Sequence, residues 1–175
     1  QELSIDPRIS GLGNTDSLNI REIARRESYL TTFTWAIGQG PETLLWNARI
    51  DPVTWAEDGL TPTGMFLPPC AMAAMPFKYW TGTMKFRFQI VTSSFHKGRI
   101  KVVYDPNFIA GNEYNTNYLE IIDVSEKSDF TISIGNGQPF SLLEHHTPGV
   151  DSRTQLYSTT AYSARDDRGN GVIGL

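Results

Sequence analysis

The chain has 175 residues, 39% of them hydrophobic and 19% charged, which is enough to bury one domain's core and rules out a disordered segment. Its formal charge of −4 excludes it as a main nucleic-acid binder, which needs a concentrated basic surface. A lone Cys70 leaves no internal disulfide and no cysteine-based zinc site, and its default role is to fill core space. No apolar run reaches the roughly 18 residues of a membrane span. The start, Gln1-Glu-Leu-Ser-Ile-Asp-Pro7, has neither an initiator Met nor a signal-peptide core, as a processed or partial chain would.

Residues 1–28 read as an arm outside the main sheet. Asp6-Pro7 and Gly11-Leu12-Gly13-Asn14 are turn formers. Asn19 is a good N-cap, with Glu22 as capping-box partner and Leu18 placed to staple against Ile23, so a short helix is expected over residues 20–26. That helix is too short to stand alone and must lean on something. From Tyr29 the period becomes two: Tyr29, Thr31, Phe33, Trp35 and Ile37 alternate with Leu30, Thr32, Thr34 and Ala36, a first strand ending at Gly38-Gln-Gly-Pro41. Residues 44–50 form a second, closed by Asp51-Pro52. Residues 53–69 read mostly as loop. Pro69 suits the first position of a short helix through Met75, which Pro76 stops.

The stretch from residue 75 to 106 carries the most information. Met84, Phe86, Phe88 and Ile90 alternate with Lys85, Arg87 and Gln89, as a half-buried strand requires. After the loop Ser93-Ser94-Phe95-His96-Lys97-Gly98, Ile100, Val102 and Tyr104 share one side, Arg99 and Lys101 the other, and Asp105-Pro106 ends the run. The two strands read as one long antiparallel hairpin. Two further strands, residues 118–124 and 129–134, flank the turn Ser125-Glu-Lys-Ser128. Weak strand signals follow near residues 140–143 and 156–162. The last residues, Asn170-Gly-Val-Ile-Gly-Leu175, look like a strand's opening. Good strands separated by turns, with almost no helix, specify an all-β sandwich, and the short helix, long loops and missing Cys pair favour a jelly roll over an immunoglobulin-type sandwich.

Tyr79-Trp80-Thr81-Gly82, Phe95-His96-Lys97-Gly98-Arg99 and Asp105-Pro106, in that order and spacing, resemble the central hairpin of picorna-like virus capsid proteins. The resemblance extends over most of residues 6–134. It takes in Asp6-Pro7-Arg8 and the short helix as the preceding arm, Ser28-Tyr29-Leu30 through Trp35 as the first strand's entry, and Ile122-Asp123-Val124 with Asp129-Phe130-Thr131-Ile132 after the hairpin. It is nearest the dicistro-, ifla- and marna-like branches. It implies an eight-stranded antiparallel jelly roll, with residues 1–28 as arm and residues 29–175 as a capsid domain that lacks its last strands. It implies a structural, non-enzymatic subunit that self-assembles with copies of itself and sister subunits into an icosahedral shell in the virion. Assembly would occur in the host cytoplasm, around a packaged RNA genome touched weakly or indirectly. It assigns no receptor and singles out no one of the sister subunits.

Sites of chemistry are few. His145-His146 beside Glu144 is the one metal-like cluster, but adjacent histidines on a strand point to opposite sides and no third ligand follows, so surface or interface histidines are expected. His96 belongs to loop packing. Arg21, Arg25 and Arg26 share one side of the short helix, where pairing with acidic neighbours is favoured over RNA contact. Asp166-Asp167-Arg168 reads as a solvated loop; related viruses use paired acids in maturation, but this triplet lacks the wider motif. No catalytic, cofactor or metal residue is assigned. A carbohydrate-binding jelly roll, the alternative, would need exposed aromatics, for which Trp46 and Trp55 are the candidates.

Three structural expectations follow. Met84, Phe86, Phe88, Ile90, Ile100, Val102 and Tyr104 form a core with Phe33, Trp35, Ile132 and Ile134. Lys85, Arg87, Gln89, Arg99 and Lys101 form an outward row covered in the particle. The strand over residues 29–37 lacks a neighbour on one edge.

Overall fold

The computed structural model describes residues 18–54, 56–57, 65–106, 118–145 and 169–175. The strands build a sandwich of antiparallel sheets. A four-stranded sheet has the order β1 (Asn47–Arg49), β10 (Val172–Gly174), β6 (Arg99–Asp105), β7 (Tyr118–Asp123). Facing it is the pair β5 (Met84–Gln89) and β8 (Asp129–Ile134), in register from Met84 against Ile134 to Gln89 against Asp129. Two short ladders complete the strands among the described residues: β2 (Ala56–Glu57) with β3 (Met65–Phe66), and β4 (Tyr79–Trp80) with β9 (Leu143–Glu144).

The two sheets meet through aromatic rings. Trp46, just before β1, lies edge-on to Phe86 at 6.2 Å and to Phe88 at 5.6 Å between ring centres. Phe88 packs on Phe130 at 5.3 Å. Edge-to-face contacts set the negative face of one ring against the positive rim of another. Ile100, Val102, Ile122 and Val124 supply the opposing layer. All the residues expected in the core are there except Trp35, which is 42% exposed and lays its ring over Gly98 instead.

The pairing corrects the hairpin reading. β5 and β6 are consecutive, yet they lie in different sheets, as do β7 and β8. A period of two identifies which side of a strand is buried, but both inner faces of a sandwich give the same pattern. The loops over residues 91–98 and 124–128 therefore cross from sheet to sheet. Consequently the outward row is split: Lys85, Arg87 and Gln89 point away from one sheet, Arg99 and Lys101 from the other.

Residues 29–37, expected as a first strand, join no ladder among the described residues. Alternation alone does not make a strand; a paired edge does. Leu30 and Phe33 still pack against the core. β10 meets the expectation for residues 170–175 and takes the centre of its sheet, between β1 and β6. Its entry is fixed by Asn170, which is almost wholly buried. The Asn170 side chain accepts from the Gly137 N–H at 3.0 Å and the Tyr104 hydroxyl at 3.3 Å, and donates to the Gly135 carbonyl at 2.9 Å. Gly171, at φ 84°, turns the chain where a Cβ would run into the backbone of Asp105 and Pro106.

α1 (Ile20–Arg25) starts at Asn19, whose carboxamide accepts from the Arg21 N–H at 3.0 Å. Glu22 turns to Arg25 at 3.6 Å rather than closing a capping box, and Leu18 stays 79% exposed, so the expected staple buries little. α1 leans on α2 (Pro69–Ala74), which has Pro at its first position as the sequence indicates. The turns at residues 6–14, the weak strand near 156–162 and Asp166, Asp167 and Arg168 lie outside the described residues.

Candidate functional site

The candidate residues that lie among the described ones have structural roles. His145 Nδ1 meets Asp51 Oδ1 at 2.9 Å with both side chains 8% exposed. The Asp51 oxygen also accepts from the Val53 N–H at 2.8 Å. The imidazole stacks against Trp80, 6.4 Å between centres and 13° between planes, and its Nε2 is buried. The His145 N–H donates to the Lys78 carbonyl at 3.2 Å. Thus His145 ties the β4–β9 ribbon to the corner after β1, with its side chain buried within the chain, where the sequence pointed to a surface or interface histidine. His146 lies outside the described residues, and among them no three His, Cys, Asp or Glu side chains gather as a metal site would require.

His96 shares a 2.7 Å hydrogen bond with the Ser93 hydroxyl inside the loop, as a packing role demands. The Cys70 thiol contacts the Pro52 carbonyl at 3.7 Å, and burial pushes its pKa up, with Asp51 adding to the shift, which disfavours a reactive thiolate. Trp46 is a core residue and offers no sugar-stacking face. Trp55, the other candidate, lies outside the described residues. Arg25 pairs with Glu22.

The outer face of β5–β8 holds the most ordered charge cluster. Arg87 forks onto Asp129, Nε to Oδ1 at 2.9 Å and Nη2 to Oδ2 at 2.5 Å, while Nη1 reaches Glu27 at 2.8 Å. Gln89 adds a contact to Asp129 at 3.2 Å. The Arg87 fork, helped by Gln89, lowers the Asp129 carboxyl to about 2. Arg87 itself is raised, by Asp129 first and then Glu27. The cluster pins Glu27, just after α1, to the sheet across 60 residues of sequence, a link no local pattern could show.

Exposed apolar side chains recur over the described residues, and two groups of them stand out. One lies over the two helices, with Leu18, Ile20, Met72, Met75 and Phe77. The other lies at the end of the sandwich, with Val91, Phe95 and Ile37. Exposed apolar patches of this kind are the substrate of association, since burying them against a partner releases water.

No protein-family model matches the chain. It is 25% identical over 133 residues, 71% of its length, to the genome polyprotein of Deformed wing virus. It is 25% identical over 151 residues to the structural polyprotein of Cricket paralysis virus, covering 84% of the chain. The matched stretches are 5% and 16% of those polyproteins. Among solved structures, that of a marine algae virus of the order Picornavirales superposes with a TM-score of 0.77 and 28% identity, covering 99% of this chain and 71% of that one. Black queen cell virus gives a TM-score of 0.75 at 18% identity, with coverage of 99% and 68%. In sequence and in fold, the chain is similar to the jelly-roll capsid proteins of the picorna-like viruses.

Proposed function

We propose that the chain is the jelly-roll part of a major capsid subunit of a non-enveloped positive-strand RNA virus, structural rather than enzymatic. It joins copies of itself and homologous subunits in an icosahedral shell around the genome, assembling in the host cytoplasm. Residues 1–28 act as its arm and residues 29–175 as the shell domain. The carrying observation is the likeness over 99% of the chain to a Picornavirales virus structure, at a TM-score of 0.77 and 28% identity. The exposed apolar surfaces fit the same reading. A sugar-binding module is disfavoured by the burial of Trp46.

In this reading hydrophobic burial between wedge-shaped subunits drives association, and complementary loops set its geometry. The outward groups Lys85, Arg87, Gln89, Arg99 and Lys101 become covered by neighbours, their long stems packing as well as pairing. Contact with RNA is weak or indirect, consistent with the net charge of −4. The test is the native mass of the full-length subunit expressed with its sister subunits. Very large closed particles are expected; a mass that stays at a small oligomer overturns the proposal.

A further inference from the structure

Among the described residues, the three most exposed large apolar side chains belong to two neighbouring loops: Val91 is 100% exposed, Phe95 92% and Ile37 90%. The loop over residues 91–98 is held at both stems. The Ile90 N–H donates to the Ser128 carbonyl at 2.7 Å and the Val124 N–H to the Gly98 carbonyl at 3.0 Å. It therefore stands beside the turn over residues 124–128. The Trp35 ring against Gly98 brings the chain leading to Ile37 to the same end. The Ser93–His96 hydrogen bond shapes the loop from within, so Phe95 is displayed by a built loop.

The charges at this end are sorted by sign. From Ile90 to Lys101 the chain carries His96, Lys97, Arg99 and Lys101 and no acid, although the whole chain is net acidic. The adjoining turn carries Asp123, Glu126 and Asp129 against a single Lys127. Part of this charge is used internally, Arg99 with Asp123 at 3.6 Å and Asp129 with Arg87. Lys97 and Glu126 have no ion-pair partner among the described residues. A basic loop that carries bare Val91 and Phe95, next to an acidic turn, is complementary to itself: the loop of one copy matches the turn of another.

We propose that this end of the sandwich is the contact between copies of the chain. Val91 and Phe95 of one copy are buried against the apolar rim around Ile37 of the next, and Lys97 faces the Glu126 of that copy. The inference rests on the capsid reading above and adds to it a surface, a partner and a pair of charges.

The test uses the full-length subunit expressed with its sister subunits. Lys97→Glu and Glu126→Lys are each expected to cut particle yield about tenfold, and the double variant to restore it to within about twofold. Both side chains are exposed, so melting of the unassembled subunit stays unchanged in all three. Phe95→Ser is expected to cut yield at least about tenfold, again without changing melting. If all variants assemble like wild type, the contact is overturned and the capsid reading stands. Singles that fail without rescue in the double variant overturn the second copy as occupant and give the place to a sister subunit. Loss in Phe95→Ser of binding to anionic lipid vesicles, with assembly intact, overturns it in favour of a lipid surface. A wild-type subunit that forms no particles overturns both readings together.

Discussion

The central strand of the four-stranded sheet and the two-stranded sheet facing it solve burial differently. In β10, Val172 and Ile173 are covered on both sides, and the sequence there is a continuous small and apolar run with no alternation. In β5 and β8, Phe86, Phe88, Phe130 and Ile134 turn inward while Lys85, Arg87, Gln89, Asp129, Thr131 and Ser133 face solvent. A strand covered on both faces has no use for polar residues, whereas a half-covered strand needs them at every second place. The first sheet is held by burial and backbone ladders, the second by one apolar face and a charge cluster laid across its back.

The largest break in this comparison comes from the shared layer. Phe88 touches both Trp46 of one sheet side and Phe130 of the other. Phe88→Ala removes a ring that neither sheet can collapse to replace and should cost roughly 3 to 5 kcal/mol. Chemical denaturation of the isolated chain measures it. An unchanged midpoint would detach the two sheets from a common core.

A smaller effect is expected where the sheets are joined by polar groups. Asn170→Ala leaves the Gly137 N–H and the Gly135 carbonyl without their partner beneath β10, at a cost of about 2 to 3 kcal/mol. Tyr104→Phe removes only one long bond to the same side chain and should cost about 1 kcal/mol or less. The ratio of the two, read from paired unfolding curves, sharpens the comparison. Equal losses would mean that the joint depends on the tyrosine rather than on Asn170.

Strand faces were legible in the sequence because they are local. The strands at residues 84–89, 99–105, 118–123 and 129–134 lie where the period of two puts them, as does the Pro69 helix start. Partners were not legible. The first two of these read as one hairpin and the last two as strands around a turn; instead β5 pairs with β8 and β6 with β7, because a crossing loop and a hairpin loop leave the same alternation behind. Residues 29–37 failed for a related reason: Phe33 and Trp35 alternate with polar residues, but a ladder also needs an edge beside it. The site contacts were least visible. Glu27 with Arg87 and Asp51 with His145 join residues 60 and 94 positions apart, and nothing near either partner announces the other. The outer apolar surface was hidden too, since Phe95 in sequence looks like any core phenylalanine.

The smallest expected effect lies on the polar back of the two-stranded sheet, and acid is the way to reach it. Asp129 is lowered from an ordinary 3.8 to about 2 by the Arg87 fork and by Gln89. A carboxyl lowered on folding stabilises the protein above its ordinary value and loses that contribution as pH falls through its folded one. The window is therefore from about pH 4 down to about pH 2. Asp123, lowered chiefly by the Ser125 hydroxyl and N–H, titrates in the same acid limb but does not involve Arg87. Asp129→Asn should flatten part of the acid limb of the stability curve and leave the Asp123 part in place, while Arg87→Met should do much the same. Both groups are open to solvent, so the change is small and shrinks further as salt is added. Unfolding curves taken across that window decide it. An acid limb identical in wild type and Asp129→Asn would mean that the fork positions Glu27 without stabilising the sheet. The burial of β10, which titrates nothing, should leave its own contribution unchanged over the same range.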